Sequence, residues 1–397
     1  MSVYLDHAAT TPLFPEAAAA MTAELTRVGN ASSLHASGRA ARRVVEESRE
    51  RIAGALGCRP GEVVFTSGGT ESDNLAVKGL YWARHHDDPR RVRVLSTPVE
   101  HHAVLDALAW LGEVGAEVEL VPVDAQGRLD LDAFAATLEA DPGSVALASV
   151  MWANNEVGTV QPVGEALALA RAHGVPLHTD AVQALGQLPL DFAASGVDAL
   201  TVTSHKAGGP HGVGALLVRR ELAPTPLLHG GGQERDVRSG TLDVPAIAGF
   251  AVATELAVAR QEQLALSLER LATRLRDGVR RQVPDAVAHG DLVPGPDHRL
   301  PGSVHLSFPG CEGDSLLMLL DARGIECSTG SACDAGVPQP SHVMRAMGHD
   351  EATARSSLRF SLGHTSTEAD VDAVLDAIGP AVERARRASL AMRPVAG

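Results

Sequence analysis

Ser204-His205-Lys206 ends the apolar, β-branched run Ala199–Thr203 and opens the glycine-rich turn that leads into a second apolar run, to Val218. The chain has 34 basic residues, and only Lys78 and Lys206 are lysine, which leaves 32 arginines. Arginine stays charged, whereas lysine can give up its proton and act as a base or form a Schiff base. Lys206, at a strand end, is therefore the candidate for covalent or base chemistry. Lys78, late in a predicted helix, reads as compositional chance. A second candidate is Cys333, in Gly330-Ser331-Ala332-Cys333-Asp334-Ala335-Gly336. Small, turn-forming residues predict an exposed, mobile thiol whose unperturbed pKa is about 8.5. Asp334 should raise that value, so activation has to come from elsewhere. Cys327, at a strand end, and Cys58 read as packing residues, and Cys311 has no evident function. In Ser357-Leu358-Arg359-Phe360-Ser361 the alternation puts Arg359 on one face with the two serines, where a guanidinium suits bidentate carboxylate binding as well as it suits an ion pair.

These residues need a frame. Strand Glu62–Thr66 runs into Ser67-Gly68-Gly69-Thr70-Glu71-Ser72-Asp73-Asn74 and a helix to about His85. A strand, a glycine turn and a helix N-terminus make a ready anion site, though without the lysine of a nucleotide-binding P-loop; a helix cap at Thr70 is the plainer alternative. Strands at 92–96, 118–121, 145–150 and 176–179 then alternate with helices at 103–114, 131–139 and 163–173. This is the pattern of an α/β domain with a mostly parallel sheet. In such sheets ligands bind beyond the carboxyl ends of the strands. His101, Asn155, Asp180, Gln183 and Lys206 all follow a predicted strand, so one crevice could collect them. Residues 1–15 read as irregular, and Leu228–Thr241 as a polar loop, either a flexible surface loop or one that serves a subunit boundary or binds phosphate. A long helix at about 245–282 leads to a smaller α+β unit with strands at 303–308, 325–327 and 355–362 and helices at 314–323 and 367–387.

The chain has 397 residues, 45% of them hydrophobic, and a formal net charge of −15. That balance argues against nucleic-acid or anionic-membrane binding. No apolar run reaches the roughly 20 residues of a membrane span, and no signal-like N-terminus is seen, so a cytoplasmic protein is expected. Four cysteines in a chain of this length are no disulfide framework.

Together the motifs resemble the cysteine desulfurases of the class V aminotransferase group, pyridoxal-phosphate enzymes of fold type I. The matching stretches are Tyr4–Pro12, Phe65–Asn74, Glu100-His101, Asn154–Gly158, His178–Gln183, Ser204–Lys206, Arg238–Thr241, Gly330–Cys333 and Ser356–Gly363. The resemblance implies a large domain at 14–262 and a small one formed by 1–13 and 263–397, which carries a cysteine loop at about 328–340. It implies that Lys206 holds pyridoxal 5′-phosphate as a Schiff base, that Asp180 pairs with the ring nitrogen, and that His101 stacks on the ring and shuttles a proton. Gln183 and Asn155 would bond the ring hydroxyl. Gly69, Thr70, Thr203 and His205 would bind the phosphate, with Thr241 reaching the phosphate of the second subunit in a homodimer. Arg359, with Asn155, would hold the L-cysteine substrate. Cys333 would take its sulfur as a persulfide, leaving L-alanine, and pass it to an iron–sulfur scaffold or a tRNA thiotransferase. The resemblance implies no resident metal, with Cys333 at most a transient iron–sulfur ligand. A selenocysteine lyase or another class V enzyme is the alternative activity, and a non-catalytic scaffold the alternative class. The chain departs from the family pattern at Thr179, Ser204, Ala207-Gly208 and His211, and after Arg387.

Overall fold

The computed structural model describes residues 2–330 and 340–392. Seven strands form the main sheet: β2 (Val63–Thr66), β3 (Arg93–Ser96), β4 (Glu117–Leu120), β5 (Val145–Ser149), β6 (Leu177–Asp180), β7 (Ala199–Thr203) and β8 (Gly214–Val218). Their spatial order is β2-β8-β7-β6-β5-β3-β4. From β7 to β4 every pairing is parallel, and β8 runs antiparallel to both of its neighbours. Strands β5 to β8 are buried at every residue, as expected of a sheet with helices on both faces. Apolar clusters lie on both faces, one against helix Ala36–Ala55 and the start of the long helix, the other against Leu75–Tyr81 and helix His102–Glu113.

The long helix, Val244–Gln282, has 39 residues. Its first half packs into the sheet's core; Leu268, Leu271, Leu275 and Val279 of its second half enter a separate cluster. That second cluster covers an antiparallel sheet of β12 (Ser357–Ser361), β10 (Ser303–Ser307) and β9 (Val287–Ala288). The α/β architecture expected from the sequence is the one observed.

Four local expectations need correction. Residues 1–15 are not all irregular, because β1 (Val3–Tyr4) pairs in parallel with β11 (Ile325–Glu326). Strand β12 starts two residues later than expected, since Asp350 caps a short helix, Glu351–Arg355, by accepting the Thr353 amide. The helix after β2 is interrupted by a π-helical stretch, Leu75–Gly79, before it resumes at Leu80. Its N-cap is Gly68 rather than Thr70.

Candidate active site

At the carboxyl ends of β5, β6 and β7 a cleft of about 380 Å³ collects Gly69, Thr70, His101, Asn155, Asp180, Gln183, Thr203, His205, Lys206 and Arg359. Residues scattered over nearly three hundred positions meet there because parallel strands end on one edge. Of the other two expected residues, Thr241 is exposed and is not part of this cleft's wall. Cys333 lies outside the described residues.

Lys206 leaves β7 through the turn that follows Thr203, and its amine donates to the carbonyls of Ala8 and, at 2.8 Å, Ala9. Burial and the guanidinium of Arg359 push it down to about 8, against the pull of Asp6 and Asp180. An amine with that pKa supplies a useful neutral fraction near pH 7. The N-terminal segment closes over this turn: Thr11 donates its amide to His205 O at 2.9 Å, and Phe14 donates to Gly208 O at 2.8 Å. Gly208 has φ of +78°, and a Cβ on it would lie 2.6 Å from the Phe14 ring. The small Ala207-Gly208 pair, one of the departures noted above, is therefore what lets Phe14 seat there. His211, another departure, hydrogen-bonds Thr10 Oγ1 at 3.1 Å and stacks on His205. Among the described residues the buried Ser204 hydroxyl has no partner, and nothing in the structure explains this departure.

Asp180 ends β6, and its Oδ1 accepts the Val182 amide at 2.8 Å. Burial raises its carboxyl to about 6, against the Val182 amide and Lys206. His101 forms one wall of the cleft. Its Nδ1 accepts the Ala103 amide at 3.1 Å and caps helix His102–Glu113, so the Nε2 tautomer carries the proton. Although the ring is open to the cleft, the surrounding protein and Lys206 push it down to about 4, so it is neutral at neutral pH. Gln183 donates to Ala8 O at 3.0 Å, tying the same N-terminal segment that receives the lysine.

Arg359 is 5% exposed and reaches across from β12. Its Nη1 donates to Asn155 O at 2.9 Å and its Nη2 to Asp6 Oδ1 at 2.7 Å. Among the described residues its buried Nε has no partner. The fork is thus held by one carboxylate and one carbonyl, with donor capacity to spare for a bound carboxylate.

On the opposite side, the turn after β2 brings Gly68, with φ of +151°, and Gly69 to the start of the helical run that ends at Asp87. Gly214 of β8 makes this approach possible, because a Cβ there would lie 2.8 Å from Gly68 Cα. The free amides at Gly69 and Thr70, with Thr203 and His205 beside them, suit an anion. One end of the cleft therefore suits a phosphate, the floor holds a carboxylate and the wall offers a neutral imidazole and an amine. This donor set fits pyridoxal phosphate.

Sequence reasoning assigned no role to Asp6, the ion-pair partner of Arg359, although it lies in the recognised stretch Tyr4–Pro12. It also passed over Glu156, which is buried and accepts the Ser341 hydroxyl. Burial raises that carboxyl to about 7. Among the described residues no group of three or more His, Cys, Asp or Glu could hold a metal, and no helix is long and apolar enough to cross a membrane.

A family model described as aminotransferase class-V matches residues 3–374. The chain is 59% identical over 389 residues to an IscS-like cysteine desulfurase of Mycobacterium tuberculosis, covering 98% of each chain. It is 41% identical to the cysteine desulfurase IscS of Dictyoglomus turgidum, covering 98% of this chain and 96% of the relative. Among solved structures, a NifS-like protein superposes with a TM-score of 0.88 at 34% identity, covering 97% of this chain and all of that one.

Proposed function

This chain belongs to the class-V aminotransferase family and is a pyridoxal-phosphate-dependent cysteine desulfurase; we propose that Lys206, Asp180, His101, Arg359 and Cys333 divide the work as follows. When bound, pyridoxal phosphate supplies an electron sink that acidifies the Cα proton of an amino acid joined to it. Lys206 would hold the cofactor, and its amine, when free, would remove that proton. Asp180 holds the proton on the ring nitrogen, and Gln183 with Asn155 bonds the ring hydroxyl. Gly69, Thr70, Thr203 and His205 hold the phosphate. Arg359 exchanges its Asp6 and Asn155 contacts for the substrate carboxylate, with Asn155 positioned beside it. His101, neutral and with Nε2–H toward the cleft, stacks on the ring and moves a proton to or from the substrate. The Cys333 thiolate attacks the substrate sulfur: an S–S bond forms, the C–S bond breaks, and the carbon fragment takes up protons to become L-alanine. Cys333 then passes its persulfide sulfur to an acceptor protein, an iron–sulfur scaffold or a tRNA thiotransferase, in the cytoplasm.

The observation that carries this reading is the convergence of Lys206 and Asp180 with Arg359 in one cleft: an amine of lowered pKa, a buried carboxylate and a carboxylate clamp. We also assign a homodimer, in which Thr241 completes the phosphate site of the second copy. In support, Thr241 is exposed and stands apart from its own chain's cleft, on a loop that Glu234 anchors to the sheet.

The test is incubation of the holoenzyme with L-cysteine and a thiol reductant. Alanine and sulfide should appear in equal amounts, Lys206→Ala should make neither, and Cys333→Ser should lose sulfide release. If the three proteins behave alike, the assignment is wrong.

A further inference from the structure

We propose that Asp73 is a positioning residue for Asp180: a buried acid that keeps its own proton and donates it, as a hydrogen bond, to the Asp180 carboxylate. The inference rests on the reading that Asp180 faces the cofactor's ring nitrogen.

Asp73 lies in the helical turn Gly69–Asn74, is 1% exposed, and borders the same cleft as Asp180. Thr201 sits on β7 directly across from Asp180 on β6, and its hydroxyl lies 3.1 Å from His178 Nε2, the atom beside Asp73 Oδ1, so the two acids flank one buried group of side chains. Among the described residues Asp73 Oδ1 is a buried oxygen with no hydrogen-bond partner, and His178 Nε2 lies 3.7 Å from it. That histidine cannot neutralise it. The ring is fully buried, its two nitrogens are engaged by Ser149 Oγ at 2.9 Å and Thr201 Oγ1 at 3.1 Å, and burial pushes its pKa down to about 3. Among the described residues the other charged groups acting on Asp73 are two more acids, Asp180 and Glu100.

Adjacent buried carboxyls do not both ionise. The asymmetry decides which one keeps the proton. Asp180 receives the Val182 amide and feels Lys206, both of which favour its charge. Asp73 has no cation beside it, and burial together with Asp180 holds its carboxyl well above the usual range. A proton on the orphaned Oδ1 gives that atom a donor. Each Asp180 oxygen can accept two bonds, so accepting from Asp73 leaves room for the ring nitrogen. The carboxylate most exposed to desolvation thereby gains a second donor.

Three variants test this: Asp73→Ala, Asp73→Asn and Asp180→Asn. Two quantities are measured: the affinity of the cofactor-free protein for pyridoxal phosphate, and the pH midpoint of the bound cofactor's visible absorbance. Losing a hydrogen bond to a charged group is worth about tenfold or more. Asp73→Ala should therefore bind the cofactor about tenfold more weakly. Its absorbance midpoint should move up by about one pH unit, because a ring nitrogen held less firmly in its protonated form leaves the ring less positive. Asp73→Asn, whose amide still donates, should stay at the wild-type values; a purely structural role would not give this rescue. If the asparagine variant shifts as far as the alanine variant, or neither shifts, the proposal is overturned. Asp180→Asn should shift furthest, and a wild-type midpoint there would overturn the reading of Asp180 itself. Asp73→Ser replaces alanine if that variant does not fold.

Discussion

Arg359 shows how a residue can be legible in type and illegible in partner. The alternating strand told that its side chain shares a face with Ser357 and Ser361, and that a guanidinium there could take a carboxylate. It could not tell that Asp6, more than 350 positions away, occupies one arm of the fork at 2.7 Å. On the proposed reading the substrate carboxylate therefore contends with Asp6 for that arm, and the bidentate geometry is what competes. Arg359→Lys keeps the charge and loses the fork. It should raise KM for L-cysteine by roughly 10- to 100-fold, as expected from the loss of charge-assisted hydrogen bonds, with a smaller effect on kcat. Steady-state kinetics check this; an unchanged KM would remove Arg359 from the substrate site. Lys206 was legible for a different reason: in a chain with two lysines, one stands at a strand end. Its lowered pKa was not, because burial and Arg359, which cause it, are tertiary facts.

At the scale of elements, the strand–helix alternation gave the sheet, and the crevice rule gave the cleft. What escaped were pieces held by side chains far apart in sequence. Strand β1 is only two residues long and exists because β11 pairs with it. The loop Leu228–Thr241 is anchored through Glu234, which is buried and accepts Arg49 Nη1 at 2.8 Å, Arg49 Nη2 at 2.7 Å and the Phe65 amide at 2.9 Å. Polarity alone marked the loop as surface, and its one buried acid is what fixes it beside β2. Breaking a buried pair leaves a charge uncompensated, at a cost of about 3–5 kcal/mol. Glu234→Ala should lose that much stability in denaturant titration of the whole protein. A loss below about 1 kcal/mol, the range of exposed pairs, would contradict the anchoring role.

For the molecule as a whole, the cleft is backed by ionisable groups whose burial favours their uncharged forms. Glu100 is fully buried and accepts the Thr97 hydroxyl and the Met151 amide on one oxygen, while among the described residues the other has no partner. Burial raises its carboxyl from 4.5 to about 8. Between those values the folded protein holds a proton that the unfolded chain has released, so this group's contribution to stability falls as pH rises. Asp180 acts in the same direction, with its own window ending near 6. Glu100→Gln removes the titration and keeps the acceptor. The cofactor-free variant should lose less thermal stability than the wild type between pH 5 and pH 8. Parallel curves would show that Glu100 is ionised in the folded state. None of this is written in the local sequence, where Glu100 is one acid among 49 acidic residues.

The central claim is that this acid-backed cleft presents Lys206 as the residue that carries the cofactor. Reduction of the holoenzyme with borohydride, followed by proteolysis and mass spectrometry, asks this directly, because the chain offers only two lysines. The account predicts a pyridoxyl adduct on the peptide containing Lys206 and an unmodified Lys78, whose amine lies 4.5 Å over the Trp110 ring. An adduct on Lys78, or none on either lysine of a protein that has bound the cofactor, would contradict it.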